Sequence, residues 1–218
     1  MTNTTSSPTP SSPAVPTGAD PRPELRRALA VAGGALTSVR PEELHRPTPC
    51  GAMDVQALIG HLVAVVDRIE VVGRLGDVAS VPDAVHITLD ELPARWADGT
   101  ARALDAWSGD DALDRTVQVP WDTLSGRSAV GIYVNELTVH TWDLARATGR
   151  EPRWDPEVLA VADEAVHEQL PLAERSPIWA AAAEALGEAF DPPFLDAVPV
   201  PADARAIDAL VAWNGRQP

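Results

Sequence analysis

Residues 54–69 read Asp54-Val55-Gln56-Ala57-Leu58-Ile59-Gly60-His61-Leu62-Val63-Ala64-Val65-Val66-Asp67-Arg68-Ile69. Val55, Leu58, Ile59, Leu62, Val65, Val66 and Ile69 recur at steps of three and four. At about 100° per residue they fill one stripe, the pattern of a helix with a face in a core. Asp54 stands ahead of the run, where a carboxylate can accept the first free backbone N–H groups, so it is the expected N-cap. This helix is expected to end between Gly73 and Gly76. A second run, from about Ser125 to Thr148, places Val130, Tyr133, Val134, Leu137, Thr141 and Leu144 on one stripe, and Gly149 reads as its C′ residue.

Working outward, Leu25, Leu29, Val31, Ala32, Leu36 and Val39 predict a helix after Pro21-Arg22-Pro23. Gly33 and Gly34 weaken it by about 1 kcal/mol each relative to Ala. Pro41 opens a short turn, and His45 to Gly51 is a Pro-broken loop. Residues 77–88 read as a loop, and a third helix is expected over Leu89 to Trp107, broken or kinked at Pro93. Arg115 to Trp121 alternates polar and apolar, which suits a short strand or merely extended chain. Asp155-Pro156 pairs an N-cap with a proline for a helix reaching about Gln169. A short helix over 176–189, a Pro-rich loop over 191–201 and a last helix over Ala204 to Trp213 complete the chain. No repeat of 20 to 50 residues is present. Prominent helices with little strand signal predict an all-α bundle with long connections at 77–88 and 109–124. The expected organisation is a disordered tail over 1–21, a helical bundle over 22–150, and a small, mostly helical C-terminal extension over 151–218 packed on it.

The 218 residues carry a formal net charge of −15, and all 17 basic residues are Arg. Such a chain is repelled by phosphate backbones and anionic bilayers, so neither nucleic acid nor membrane is an expected partner. No run of about 18 apolar residues occurs to span a bilayer. The first 21 residues, rich in Ser, Thr and Pro, lack a basic start and an apolar stretch and do not read as a secretory signal. Cys50 is the single cysteine, which forbids an internal disulfide and suits a reducing cytoplasm, the expected location.

Glu136 and His140, four apart on the later helix, lie within about 40° of each other and about 6 Å apart along the axis. Both sit at the edge of their apolar stripe. His61 sits at the edge of the earlier one, a single 40° step beyond Val65. If the stripes face each other, all three side chains meet at the margin of the shared core. Two imidazoles and a carboxylate suit Zn²⁺ first, and also Fe²⁺, Ni²⁺ or Mn²⁺. Three protein ligands leave a coordination position open, which indicates catalysis rather than a closed structural site. From spacing alone, each of these residues also fits a salt-bridged or partly buried role. His45, His86 and His167 read as ordinary loop or helix residues.

The stretches Arg46-Pro47-Thr48-Pro49-Cys50-Gly51-Ala52-Met53-Asp54-Val55, Leu58-Ile59-Gly60-His61-Leu62 and Asn135-Glu136-Leu137-Thr138-Val139-His140-Thr141-Trp142-Asp143-Leu144-Ala145-Arg146-Ala147-Thr148-Gly149 resemble an actinobacterial metal-binding family. That family is related to the mycothiol-dependent maleylpyruvate isomerase N-terminal domain, within the DinB/YfiT-like superfamily. The tail, with Val198-Pro199-Val200-Pro201 and Gly215-Arg216, is similar too, so the resemblance spans roughly residues 22–218. It implies a DinB-like four-helix bundle with metal ligands at His61, Glu136 and His140. It also implies a low-molecular-weight thiol such as mycothiol as co-substrate. Ala52 and Met53 depart from the acidic residue and Trp usual before the Asp-Val. The extra C-terminal domain of the isomerase is also missing from the pattern.

The implied activity is a divalent-metal-dependent S-transfer or isomerisation of a small electrophilic substrate through a metal-bound thiolate, by a monomer or homodimer. A metal-dependent hydrolase using bound water and a non-catalytic metal-containing binding protein are the alternatives. Asp143, three residues past His140, is either an orienting partner for an imidazole or substrate or a solvated helix charge. Trp142 and Tyr133 are expected in the core, Arg127 and Arg146 in surface ion pairs rather than on a carboxylate, and Cys50 as a buried, inert thiol.

Overall fold

The structure, a computed structural model, describes residues 19–51, 53–177, 180 and 194–218. Six helices are complete among the described residues: α1 Arg22–Thr37, α2 Val55–Gly73, α3 Leu92–Ala106, α4 Gly126–Thr148, α5 Pro156–Gln169 and α6 Ala206–Trp213. The protein is therefore all-α, with a DinB-like bundle built from α1 to α4. Most of the expected tail over 1–21 and of the expected helix over 176–189 lies outside the described residues.

Local chemistry accounts for the helix ends. The Asp54 carboxylate accepts from Ala57 N at 2.9 Å, the predicted N-cap. Ser125 caps α4 through Ser128 N, and Gly149 closes it in the left-handed region at φ 68°. Asp155 accepts from Glu157 N and Val158 N at the start of α5.

Pro93 does not kink a longer helix. It lies in the first turn of α3, where its missing N–H costs nothing, and the helix starts at Leu92 rather than Leu89. Just ahead, Thr88 Oγ1 donates to Glu91 Oε2 at 2.6 Å, which closes the preceding turn. The alternating stretch does pair: β1 Thr116–Gln118 runs antiparallel to β2 Thr123–Ser125, with Val117 opposite Leu124. The partner strand escaped sequence reading because Thr123-Leu124-Ser125 resembles the approach to an N-cap.

The bundle closes as a ring in the order α1, α4, α2, α3, with α3 returning to α1. The stripe residues of α2 and α4 meet in its centre and are all buried. α5 and α6 cover the outer side of α4. As a result every residue from Ala129 to Ala145 is buried, including the polar ones. Several of those polar groups are satisfied within the fold. Thr138 and Thr141 donate to the carbonyls four residues earlier, at 2.7 and 2.6 Å, and Asn135 exchanges two amide hydrogen bonds with Asn214. Among the described residues no helix is long and apolar enough to cross a membrane.

Candidate metal centre

His61 on α2 and Glu136 and His140 on α4 converge across the α2–α4 seam. Their potential donor atoms all lie within 4.8 Å of one another. His61 Nε2 is 3.7 Å from Glu136 Oε1. The two imidazole rings meet edge to face, with centroids 4.8 Å apart and planes at 81°. The helical wheel predicted this meeting at the rim of the core. The structure places it deeper, because the layer of α5 and α6 covers what would have been the solvent side of α4.

Each histidine is held from its far side. His61 Nδ1 is 2.7 Å from the Asp83 carbonyl, an acceptor only, so Nδ1 carries the proton and Nε2 keeps its lone pair. That carbonyl arrives because residue 60 is a glycine. A Cβ there would stand 2.2 Å from the Val85 carbonyl oxygen, so only glycine lets the 82–85 segment lie on α2. Val85 N then donates to Gly60 O at 3.1 Å. His140 Nδ1 is 3.2 Å from Asp143 Oδ2, which leaves its Nε2 for the centre. Asp143 is fully buried, so of its two readings the structure rules out the solvated helix charge.

The electrostatics follow from burial. Burial, helped by the neighbouring charge of His140, pushes His61 down to about 3, so it is neutral near pH 7. Burial also raises the Glu136 carboxyl, against the pull of His140 and Arg68. Burial opposes a charged His140, but the bonds to Asp143 and Cys50 outweigh it and hold that imidazole up at about 9. Burial would raise Asp143, yet His140 and Arg216 keep it below the usual carboxylate range.

Two observations test whether a divalent ion suits this site. Glu136 Oε2 is buried with no hydrogen-bond partner among the described residues, an expensive state for a carboxylate oxygen. Both imidazoles have Nδ1 engaged from the far side. His61 Nε2 offers a lone pair beside the orphaned Glu136 oxygen, and His140 joins them as a donor once an incoming cation displaces its second proton.

Several neighbours were not legible in the sequence. Arg68, seven residues past His61 and on the same face, is buried, and its Nη2 reaches the Pro82 carbonyl and Asp83 Oδ1 at 3.3 and 3.4 Å. Its spacing from His61 was the one available signal. Arg216 comes from the segment after α6 and carried none. Cys50, expected as a buried, inert thiol, is not buried: it is half-exposed, and its Sγ lies within 4.8 Å of potential donor atoms of His140 and Asp143 and 3.5 Å from Arg216 Nη2. Tyr133 and Trp142 are in the core as expected. Arg127 donates to the Ala19 carbonyl, and Arg146 lies over the Trp142 ring at 5.5 Å; among the described residues neither makes the surface ion pair predicted for it. His45 and His86 are exposed, and His167 stacks on Trp213 at 3.7 Å, all away from the centre. Met53 is half-buried against the core, and Ala52 lies outside the described residues.

Comparison with known proteins places this chain in a family. The family described as the mycothiol maleylpyruvate isomerase N-terminal domain matches residues 25–145, a span that contains His61, Glu136, His140 and Asp143 but not Arg216. Two uncharacterized proteins of Mycobacterium tuberculosis, one from each of two strains, are each 32% identical over 200 residues, covering 90% of this chain and 98% of the relative. A solved structure of a point mutant of the mycothiol-dependent maleylpyruvate isomerase aligns with a TM-score of 0.53 at 15% identity, over 74% of this chain and 70% of that one. At that identity the likeness is one of fold.

Proposed function

Because the chain belongs to the mycothiol maleylpyruvate isomerase N-terminal domain family, we propose that it is a divalent-metal-dependent enzyme. In this reading it uses a small thiol of the mycothiol type for S-transfer to, or isomerisation of, a small electrophilic substrate. The observation that carries the reading is the convergence of two histidines, each held through Nδ1, on a buried carboxylate whose second oxygen has no partner among the described residues. His61, Glu136 and His140 would hold the ion, with Zn²⁺ the first choice for two imidazoles and one carboxylate and Ni²⁺, Fe²⁺ or Mn²⁺ able to use the same donors. When bound, such an ion supplies the Lewis acidity that turns a thiol of ordinary pKa, about 8.5, into a thiolate at neutral pH.

The chain's own residues do the rest. The Asp83 carbonyl and the Asp143 carboxylate keep the protons of His61 and His140 on Nδ1. The Arg68 guanidinium offsets the charge of Glu136. The apolar seam of α2 and α4 keeps bulk water from the donors.

Titrating the Co²⁺-substituted protein with mycothiol, then adding a panel of electrophiles, tests the proposal. A shift of the Co²⁺ absorption with thiol, followed by thiol-dependent product, is expected. An unmoved spectrum and no product would overturn it. Turnover without thiol that a chelator abolishes would replace it with a hydrolase.

A further inference from the structure

The segment after α6 touches α4 at two places that bracket Glu136 and His140. At the first, Asn214 and Asn135 exchange reciprocal amide hydrogen bonds of 3.0 and 2.9 Å, both residues fully buried. At the second, Arg216 donates to both oxygens of Asp143, from Nε to Oδ1 at 3.4 Å and from Nη2 to Oδ2 at 3.2 Å. The two contacts are eight residues apart on α4, about 12 Å along the helix.

The turn that joins them is closely specified. Gly215 has φ 80°, and a Cβ there would stand 2.7 Å from the Leu195 carbonyl oxygen, so the residue must be glycine. Arg216 N donates to the Val211 carbonyl at 2.9 Å, and Nη1 donates to the Asn214 carbonyl at 2.9 Å. Its guanidinium lies over the Phe194 ring at 5.6 Å. Backbone, turn and ring together hold a buried guanidinium against one carboxylate.

That carboxylate has a further task. Oδ2 of Asp143 faces His140 Nδ1, and the direction of His140 Nε2 depends on it. With His140 as its one partner, Asp143 could rotate about its side-chain bonds and carry the imidazole with it. With both oxygens gripped by a planar, two-pronged donor, the carboxylate has one orientation. We propose that Arg216 is a positioning residue for the metal centre: through Asp143 it fixes His140 in the orientation that ion binding needs, so the segment after α6 sets metal affinity. The proposal rests on the metal reading of His61, Glu136 and His140, and it reaches outside the family match.

Zinc dissociation constants, measured by competition with a chromophoric chelator, test this on the full chain. The proteins are wild type, Arg216→Gln, Asp143→Ala, the double variant and Arg216→Lys, with the Co²⁺ spectrum of each. Arg216→Gln is expected to weaken Zn²⁺ binding about 10- to 100-fold, the usual effect of losing a partner of a ligand, and to shift the Co²⁺ bands. Arg216→Lys should restore part of the loss. The double variant should bind no more weakly than Asp143→Ala, because Arg216 acts through Asp143. If Arg216→Gln does not fold, Arg216→Lys carries the test with a several-fold loss expected. Wild-type affinity and an unmoved spectrum in the folded Arg216 variant, or losses that multiply in the double variant, would overturn the proposal and leave the metal reading intact. A wild-type protein that takes up no Zn²⁺ would overturn both.

Discussion

Glu136 concentrates the cost of the site in one side chain. Its Oε2 is buried without a partner among the described residues, and burial raises its carboxyl. Replacing it with a neutral amide removes a carboxyl whose ionised form burial penalises in the metal-free protein. The Glu136→Gln variant should therefore be more stable than wild type without metal, by about 1 kcal/mol or more, while losing most of its Zn²⁺ affinity. Thermal unfolding of both proteins, with and without the ion, checks the two signs together. At this scale the meeting of the three side chains was partly legible, since spacing put Glu136 and His140 on one face and His61 at the edge of the other stripe, and the resemblance singled out the same three. Their supports were not. Asp83 reaches His61 from a loop, Arg216 reaches Asp143 across 73 residues, and no periodicity encodes such contacts. Cys50 was misjudged for the same reason: its neighbours His140 and Arg216 are distant in the chain.

Helix α4 shows where an amphipathic reading stops. A stripe assigns one face to the core and leaves the other to solvent, yet α4 is buried on every side because α5 and α6 form a second layer over it. Its Thr and Asn residues, polar enough to suggest exposure, spend their hydrogen bonds on the helix's own carbonyls and on Asn214. Helix starts were the more legible feature, since Asp54, Ser125 and Asp155 all accept backbone N–H groups where a cap was expected for two of them and a start for the third. The Asp54 cap opens the helix that carries His61. Asp54→Ala should lower stability by about 1 kcal/mol without moving the three proposed metal ligands, which lie further along α2 and on α4. Urea unfolding and zinc stoichiometry measured on the same variant check both halves.

Across the whole molecule, Glu43 ties the start and end of the bundle together. Its buried carboxylate accepts from Arg40 N at 2.9 Å, Arg40 Nη2 at 2.8 Å, Arg46 Nη1 at 3.2 Å and Arg150 Nη2 at 2.8 Å. It therefore joins the turn after α1 to the chain leaving α4. The Arg150 guanidinium, against the opposing effect of burial, holds this carboxyl down at about 2. A carboxyl depressed in the fold stabilises it above its unfolded pKa, about 4.3, and that support is lost as pH falls toward about 2. The stability gap between wild type and Glu43→Gln should be constant near neutrality and shrink between those two values, as urea midpoints across pH would show. The same ring of helices brings α2 and α4 face to face, and the proposed metal centre depends on that pairing. The most direct measurement is the zinc content of the chain purified without chelators, beside His61→Ala, Glu136→Ala and His140→Ala. The account predicts close to one ion per wild-type chain and a large loss in each folded variant. Full metal content in any of the three, or a wild-type chain that binds no divalent ion when one is supplied, would contradict it.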